Sequence, residues 1–147
     1  MNADLVIATL GLEPLPEEGG MFRRFWADEH GSAIWFLLRP GDFSALHRLT
    51  GAELWHHYAG APVRMLLLHS DGTVTGPVLG DDLAAGETPV VVVEAGTWMG
   101  AETGGDWSLV GATMAPPFQP HMFELGERVA LTAGYPEAAS DIARLTR

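Results

Sequence analysis

A chain of 147 residues with 47% apolar side chains can bury a real core, and residues 1–147 read as a single domain. Its net charge of -11, with eight cations that are all arginine, excludes a phosphate-neutralising nucleic-acid surface. The absence of lysine removes Schiff-base chemistry and a phosphate-loop lysine, and the absence of cysteine removes disulfides, thiol nucleophiles and thiolate-bound zinc.

The elements follow in chain order. "ADLVIATLGL" predicts a helix with Leu5, Ala8, Thr9 and Leu12 on one face, Asn2 as its cap and Gly11 as its stop. "EPLPEEGG" is a loop punctuated by Pro14, Pro16, Gly19 and Gly20, and its glutamates Glu13, Glu17 and Glu18 are expected in solvent. Short apolar or alternating runs with glycine or proline between them then continue to about residue 115. They are "MFRRFWA", "SAIWFLL", "SALHRL", "ELWHHYA", "VRMLLLH", "TVTGPVL", "PVVVVEA" and "WSLVGATM". Runs of this length and spacing predict an all-β sandwich or barrel, with "HSDGT" as a hairpin turn. "PEAASDIARLTR" returns to helical spacing, with Ala138, Ile142 and Leu145 on one side. No run is long enough to span a bilayer, and the start has no basic region followed by an apolar one, so a cytoplasmic protein is expected.

One stretch concentrates chemistry. "GDFSALHRLTGAELWHHYAG" (41–60) brings three histidines, a glutamate, a tryptophan and a tyrosine between two glycines. The spacing from Gly41 through His47, Leu49 and Glu53 to Gly60 resembles the first cupin motif, whose metal-binding members carry two histidines and a glutamate at the positions of His47, Leu49 and Glu53. The second cupin motif falls on "EAGTWM", where Glu94 replaces a proline, Gly96 is kept, and Met99 stands in place of a histidine. Two of the four usual ligand positions are therefore matched, His47 and Glu53.

"LGLEPLPEEGGMFRRFW", "SAIWFLLRPGDFSALHRLTGAELWHHYAG", "VVVEAGTWM", "SLVGATMAPPF" and "FELGERVALTAGYPEAASDIARLTR", in this order, resemble a cupin subfamily known as domain of unknown function 985. The resemblance implies an antiparallel jelly-roll β-barrel with a short helix at each end, a fold similar to sugar-nucleotide epimerases of the rhamnose pathway (RmlC-like), and a homodimer. It implies no assigned reaction.

The candidate site residues follow from that frame. His47 and Glu53 are expected on consecutive strands joined by "LTGA", both pointing into the barrel mouth. A histidine beside a carboxylate suits a general base or a metal ligand. Alternation from Glu53 turns Trp55 and His57 inward and His56 and Tyr58 outward, whereas the subfamily favours the Trp-His pair at 55–56, which a bulge would bring inward. Arg23, where the subfamily expects an arginine, is a candidate anchor for a carboxylate or phosphate. Trp35, Trp55 and Trp98 are candidate floors of an apolar or sugar-stacking pocket. His30, His69 and His121 fall at loops or turns and are expected in solvent.

Three functions fit these residues. One is acid–base isomerisation, epimerisation or elimination on a small polar or sugar-like metabolite, with His47 and Glu53 catalytic and no certain cofactor. The second is a divalent-metal cupin enzyme using His47, Glu53 and His57 or His56. The third is a small-ligand binding module without chemistry.

Overall fold

Asn2 and Gly11 bound the first helix, α1 (Ala3–Leu10), as their chemistry predicts. The Asn2 side chain accepts from the Leu5 N–H at 2.9 Å, and Gly11 closes the helix in the left-handed region at φ 66°. Of the expected face, Leu12 just beyond the helix is buried, but the helix itself buries a different stripe. Val6 is buried, with Ala3, Ile7 and Leu10 beside it, while Leu5 is exposed. The helix lies on a sheet rather than in a bundle, so only a narrow stripe meets Leu37 and Leu109.

The computed structural model describes residues 1–147 and places twelve strands in two antiparallel sheets. These are β1 (Glu13–Pro14), β2 (Met21–Ala27), β3 (Ser32–Leu38), β4 (Ser44–Leu49), β5 (Glu53–Gly60) and β6 (Val63–Leu68), then β7 (Val74–Thr75), β8 (Val78–Leu79), β9 (Val90–Val93), β10 (Trp98–Thr103), β11 (Ser108–Met114) and β12 (Phe123–Leu125). One sheet runs β1-β2-β3-β11-β5-β9 and the other β12-β4-β10-β6-β7, with β8 also on β6. This is an antiparallel jelly roll. The run "TVTGPVL" breaks into two strands at Gly76-Pro77, because Pro77 has no N–H to give a ladder.

Between the sheets, Phe36, Leu38, Trp55, Val63, Met65, Val93, Met99 and Val110 form the main core. The alternate residues Leu46, Leu66 and Leu68 face the other way and pack beneath Leu131, Ala138, Ile142 and Leu145. Those four come from the C-terminal segment, which holds two helices, α2 (Arg128–Gly134) and α3 (Ala139–Arg144), where one was expected. Glu127 starts α2 by accepting from the Val129 and Ala130 N–H groups. Covered on both faces, the second sheet gives β4 an almost unbroken buried pattern. The outer face of the first sheet is covered by α1 only in part, leaving Phe25, Trp26, Tyr58, Val90 and Val92 exposed. No helix is long and apolar enough to cross a membrane.

Candidate functional site

The "LTGA" turn joins β4 and β5 across the sandwich, not as a hairpin, so His47 and Glu53 reach the interior from opposite sheets. Both line a cavity of about 510 Å³. Its walls are largely apolar, with Leu15, Phe22, Ile34, Leu49, Met114, Phe118 and Phe123 among them. Its polar side chains are Glu17, Glu18, Arg24, Ser32, His47 and Glu53.

His47 is 2% exposed and stacks on Phe123 at 5.3 Å between ring centres. Its Nδ1 lies 2.7 Å from the Ala45 carbonyl. A carbonyl only accepts, so Nδ1 carries the hydrogen, and in the neutral ring the Nε2 lone pair faces the cavity. The nearest carboxylate is that of Glu18, with Oε1 3.7 Å from Nε2. Sequence reasoning pairs His47 with Glu53, but Glu53 Oε1 instead accepts from the Trp55 indole N–H at 2.9 Å.

Glu53 is the electrostatic oddity of the chain. Burial among apolar walls pushes its carboxyl from the ordinary 4.5 up to about 7. The negative charge of Glu18 adds to the rise, while His47 and the Trp55 hydrogen bond act against it. At neutral pH this group exchanges readily between acid and carboxylate.

Glu18 belongs to the loop expected in solvent, yet its side chain is only 14% exposed. Its Oε2 accepts from Ser44 at 2.8 Å, and its carbonyl accepts from the Ala45 N–H at 2.8 Å. The loop is clasped from outside by Arg147, which donates to the Glu18 carbonyl at 3.2 Å, the Asp42 carboxylate at 2.6 Å and the Phe43 carbonyl at 3.3 Å. Gly19, at φ 97°, is required because a Cβ there would collide with the Phe43 carbonyl and the Arg147 guanidinium. The Gly19-Gly20 pair directly before a strand was the sequence signal: it lets the preceding backbone fold tightly against β4 and turns Glu18 inward.

The remaining candidates lie elsewhere. Arg23 points outward and donates to the Leu10 carbonyl at 3.1 Å, satisfying the C-terminal end of α1. Strand alternation puts its neighbour Arg24 at the cavity wall instead, donating to the Phe118 carbonyl at 3.1 Å. Trp35 stacks on Phe25 at 4.5 Å on the outer face of the first sheet. Trp98 faces the C-terminal helices with Arg48 over its ring at 4.5 Å. Trp55 is buried and supports Glu53 from behind. Opposite β11, β5 has its bulge at Tyr58, beyond both histidines, so alternation from Glu53 holds through His57. His56 lies outside, 3.3 Å from Thr113 and stacked with Tyr58. His57 shares the inner face with Val110 but sits near the far end of β5, bonded to the Ala61 carbonyl at 3.2 Å. Of the loop histidines, His30 and His121 are exposed, and His69 bonds Thr75.

These placements bear on metal binding. Leu49 lines the cavity without a donor atom, and Met99, in register with His47, is buried in the core. Neither His56 nor His57 joins His47 and Glu53, and no three His, Cys, Asp or Glu side chains converge on an ion site. The donor set does not fit a cupin metal centre.

Several solved structures share the architecture. Protein SO0799 from Shewanella oneidensis is 38% identical with a TM-score of 0.94, over 100% of this chain and 98% of its own. A hypothetical protein from Leishmania major is 25% identical with a TM-score of 0.92, over 99% of both chains. Oxalate decarboxylase from Bacillus subtilis is 14% identical with a TM-score of 0.64, over 91% of this chain and 37% of its own, a likeness of fold alone. No curated protein matches the chain. The family model described as cupin superfamily (DUF985) matches residues 4–126. Jelly roll, cavity and ordered motifs thus converge with that match, and the chain belongs to the DUF985 family of the cupin superfamily.

Proposed function

We propose that the cavity is the active site of an acid–base enzyme, an isomerase, epimerase or lyase, acting on a small polar or sugar-like metabolite. One observation carries the reading: a buried histidine with its Nε2 lone pair facing the cavity stands opposite a carboxyl that titrates at about 7. A base and an acid on two walls can take a proton from a carbon and give one to the oxyanion or leaving group that develops beside it. His47 Nε2 removes the proton, and its ring is held by Ala45 and Phe123. Glu53 delivers a proton to the developing oxyanion or leaving group, with Trp55 orienting its carboxyl. The apolar wall raises the Glu53 carboxyl to about 7, so that its acid form is present at neutral pH.

Deuterium wash-in tests this even while the product is unidentified. Aldoses, ketoses, lactones and amino sugars incubated with the protein in D2O should include one that gains deuterium at an acidic carbon. His47→Asn should abolish the exchange in a folded protein. Exchange that persists in that variant removes His47 from the chemistry.

We further infer that the chain works as a homodimer. The support is the apolar outer face of the first sheet, where Phe25, Trp26, Tyr58, Val90 and Val92 are 39–53% exposed beside the edge strand β9.

A further inference from the structure

Around His47 and Glu18, three side-chain donors are spent and two acceptors are free. The Ser44 hydroxyl is given to Glu18, and the Trp55 indole N–H to Glu53. The His47 Nδ1–H is given to Ala45. What remains is His47 Nε2 on a side chain 2% exposed and Glu18 Oε1, 3.7 Å apart with no hydrogen bond between them. Two acceptors facing each other at that distance leave a place for a donor group, with Glu18 Oε1 to receive it.

The charges agree. Glu17, Glu18 and Glu53 line the cavity against a single arginine, Arg24, which is exposed at the wall and already donates to Phe118. The chain offers no lysine and carries a net charge of -11. A phosphate or a sugar diphosphate would enter this cavity against carboxylates, with one arginine and the Ser32 hydroxyl to receive it. The rest of the wall is apolar, so the ligand's body is apolar or weakly polar.

We propose that the cavity selects a compact amine, bound with its ammonium group on Glu18 Oε1 and its body against the apolar wall beside His47, and that Glu18 is the residue that sets this preference. The proposal rests on the reading of the cavity as the ligand site, and it deepens that reading by naming the ligand class.

Three probes of equal shape and different charge test it: benzylamine, benzyl alcohol and benzoate, titrated at pH 7.5 against the full chain and followed by calorimetry and by the His47 ring signals in NMR. Benzylamine should bind with a Kd at least about tenfold lower than benzoate, with benzyl alcohol between them, and should shift the His47 ring signals. Glu18→Gln, which still accepts from Ser44, should reduce the amine-to-benzoate preference by about tenfold. Glu18→Asp should retain part of it. Benzoate binding as well as benzylamine overturns the proposal, as does absence of amine binding at millimolar concentration or a Glu18→Gln variant with unchanged preference. If Glu18→Gln fails to fold, the three probes on the unmodified chain decide alone. Amine preference without any deuterium wash-in leaves the ligand class standing and removes the reaction; wash-in on a neutral sugar without amine preference does the reverse.

Discussion

Replacing Glu53 with glutamine should change the pH dependence of stability more than stability itself. Below pH 4.5 the carboxyl is protonated in both folded and unfolded chains, and a neutral acid and an amide are close equivalents, both able to accept from Trp55. As pH rises, the unfolded chain releases this proton first while the folded chain keeps it until about 7. The unfolded state then binds fewer protons than the native state, so stability falls with pH through this window and levels off above it. A rise from 4.5 to about 7 corresponds to about 3 kcal/mol at about 1.4 kcal/mol for each tenfold in proton affinity. Screening by water at the cavity mouth reduces the expected effect to about 2 kcal/mol. Urea unfolding of both proteins at pH 4.5, 6, 7 and 8.5 measures it. Glu53→Gln should match the unmodified protein at pH 4.5 and exceed it by about 2 kcal/mol at pH 8.5. A difference that stays constant to within about 0.5 kcal/mol across the range would refute an elevated carboxyl at this position.

Other outcomes follow from the same geometry. His47→Asn should fold with its cavity intact and lose deuterium wash-in, because an amide cannot act as the base; circular dichroism alongside the exchange assay checks both. Gly19→Ala places a Cβ on left-handed backbone against the Phe43 carbonyl, and should cost about 2 kcal/mol or more in urea unfolding. A cost near zero would mean the clasp around Glu18 is loose. Light scattering should give a dimer mass at micromolar concentration and a monomer for Val92→Asp, whose side chain lies on the exposed outer face. A monomer from the unmodified chain removes the dimer.

The sequence made the frame of the site legible and left its far wall dark. His47 and Glu53 are visible because motif spacing fixes strand positions, and strand positions fix which side chains face the interior. The buried side of the C-terminal segment is visible for a similar reason: Ala138, Ile142 and Leu145 keep helical spacing and all three are buried. Glu18 is invisible to such reasoning, because it sits in a loop that periodicity does not describe and reaches the cavity through a tight turn held by Asp42 and Arg147. Arg23 and Arg24 are neighbours of the same type, and only the register of β2 against β3 decides which one turns in. β10 has no alternating pattern to read, since "WMGAET" lies between β4 and β6 and is covered on both faces. Gly100, directly against Leu46 and Leu145, leaves room for that cover.

The Arg147 clasp links the acidic wall to the segment after α3, whose own anchors are Ile142 and Leu145 on the back of the second sheet. Short helices on a sheet surface detach at a lower free energy than the sheets separate. When they lift, Asp42 and the Glu18 backbone lose a tether while every strand remains paired. Gentle warming should therefore loosen the acidic wall of the cavity before the protein denatures. Ligand binding to the cavity, followed during heating, should fall with the anchoring of two helical turns, ahead of the melting of the jelly roll.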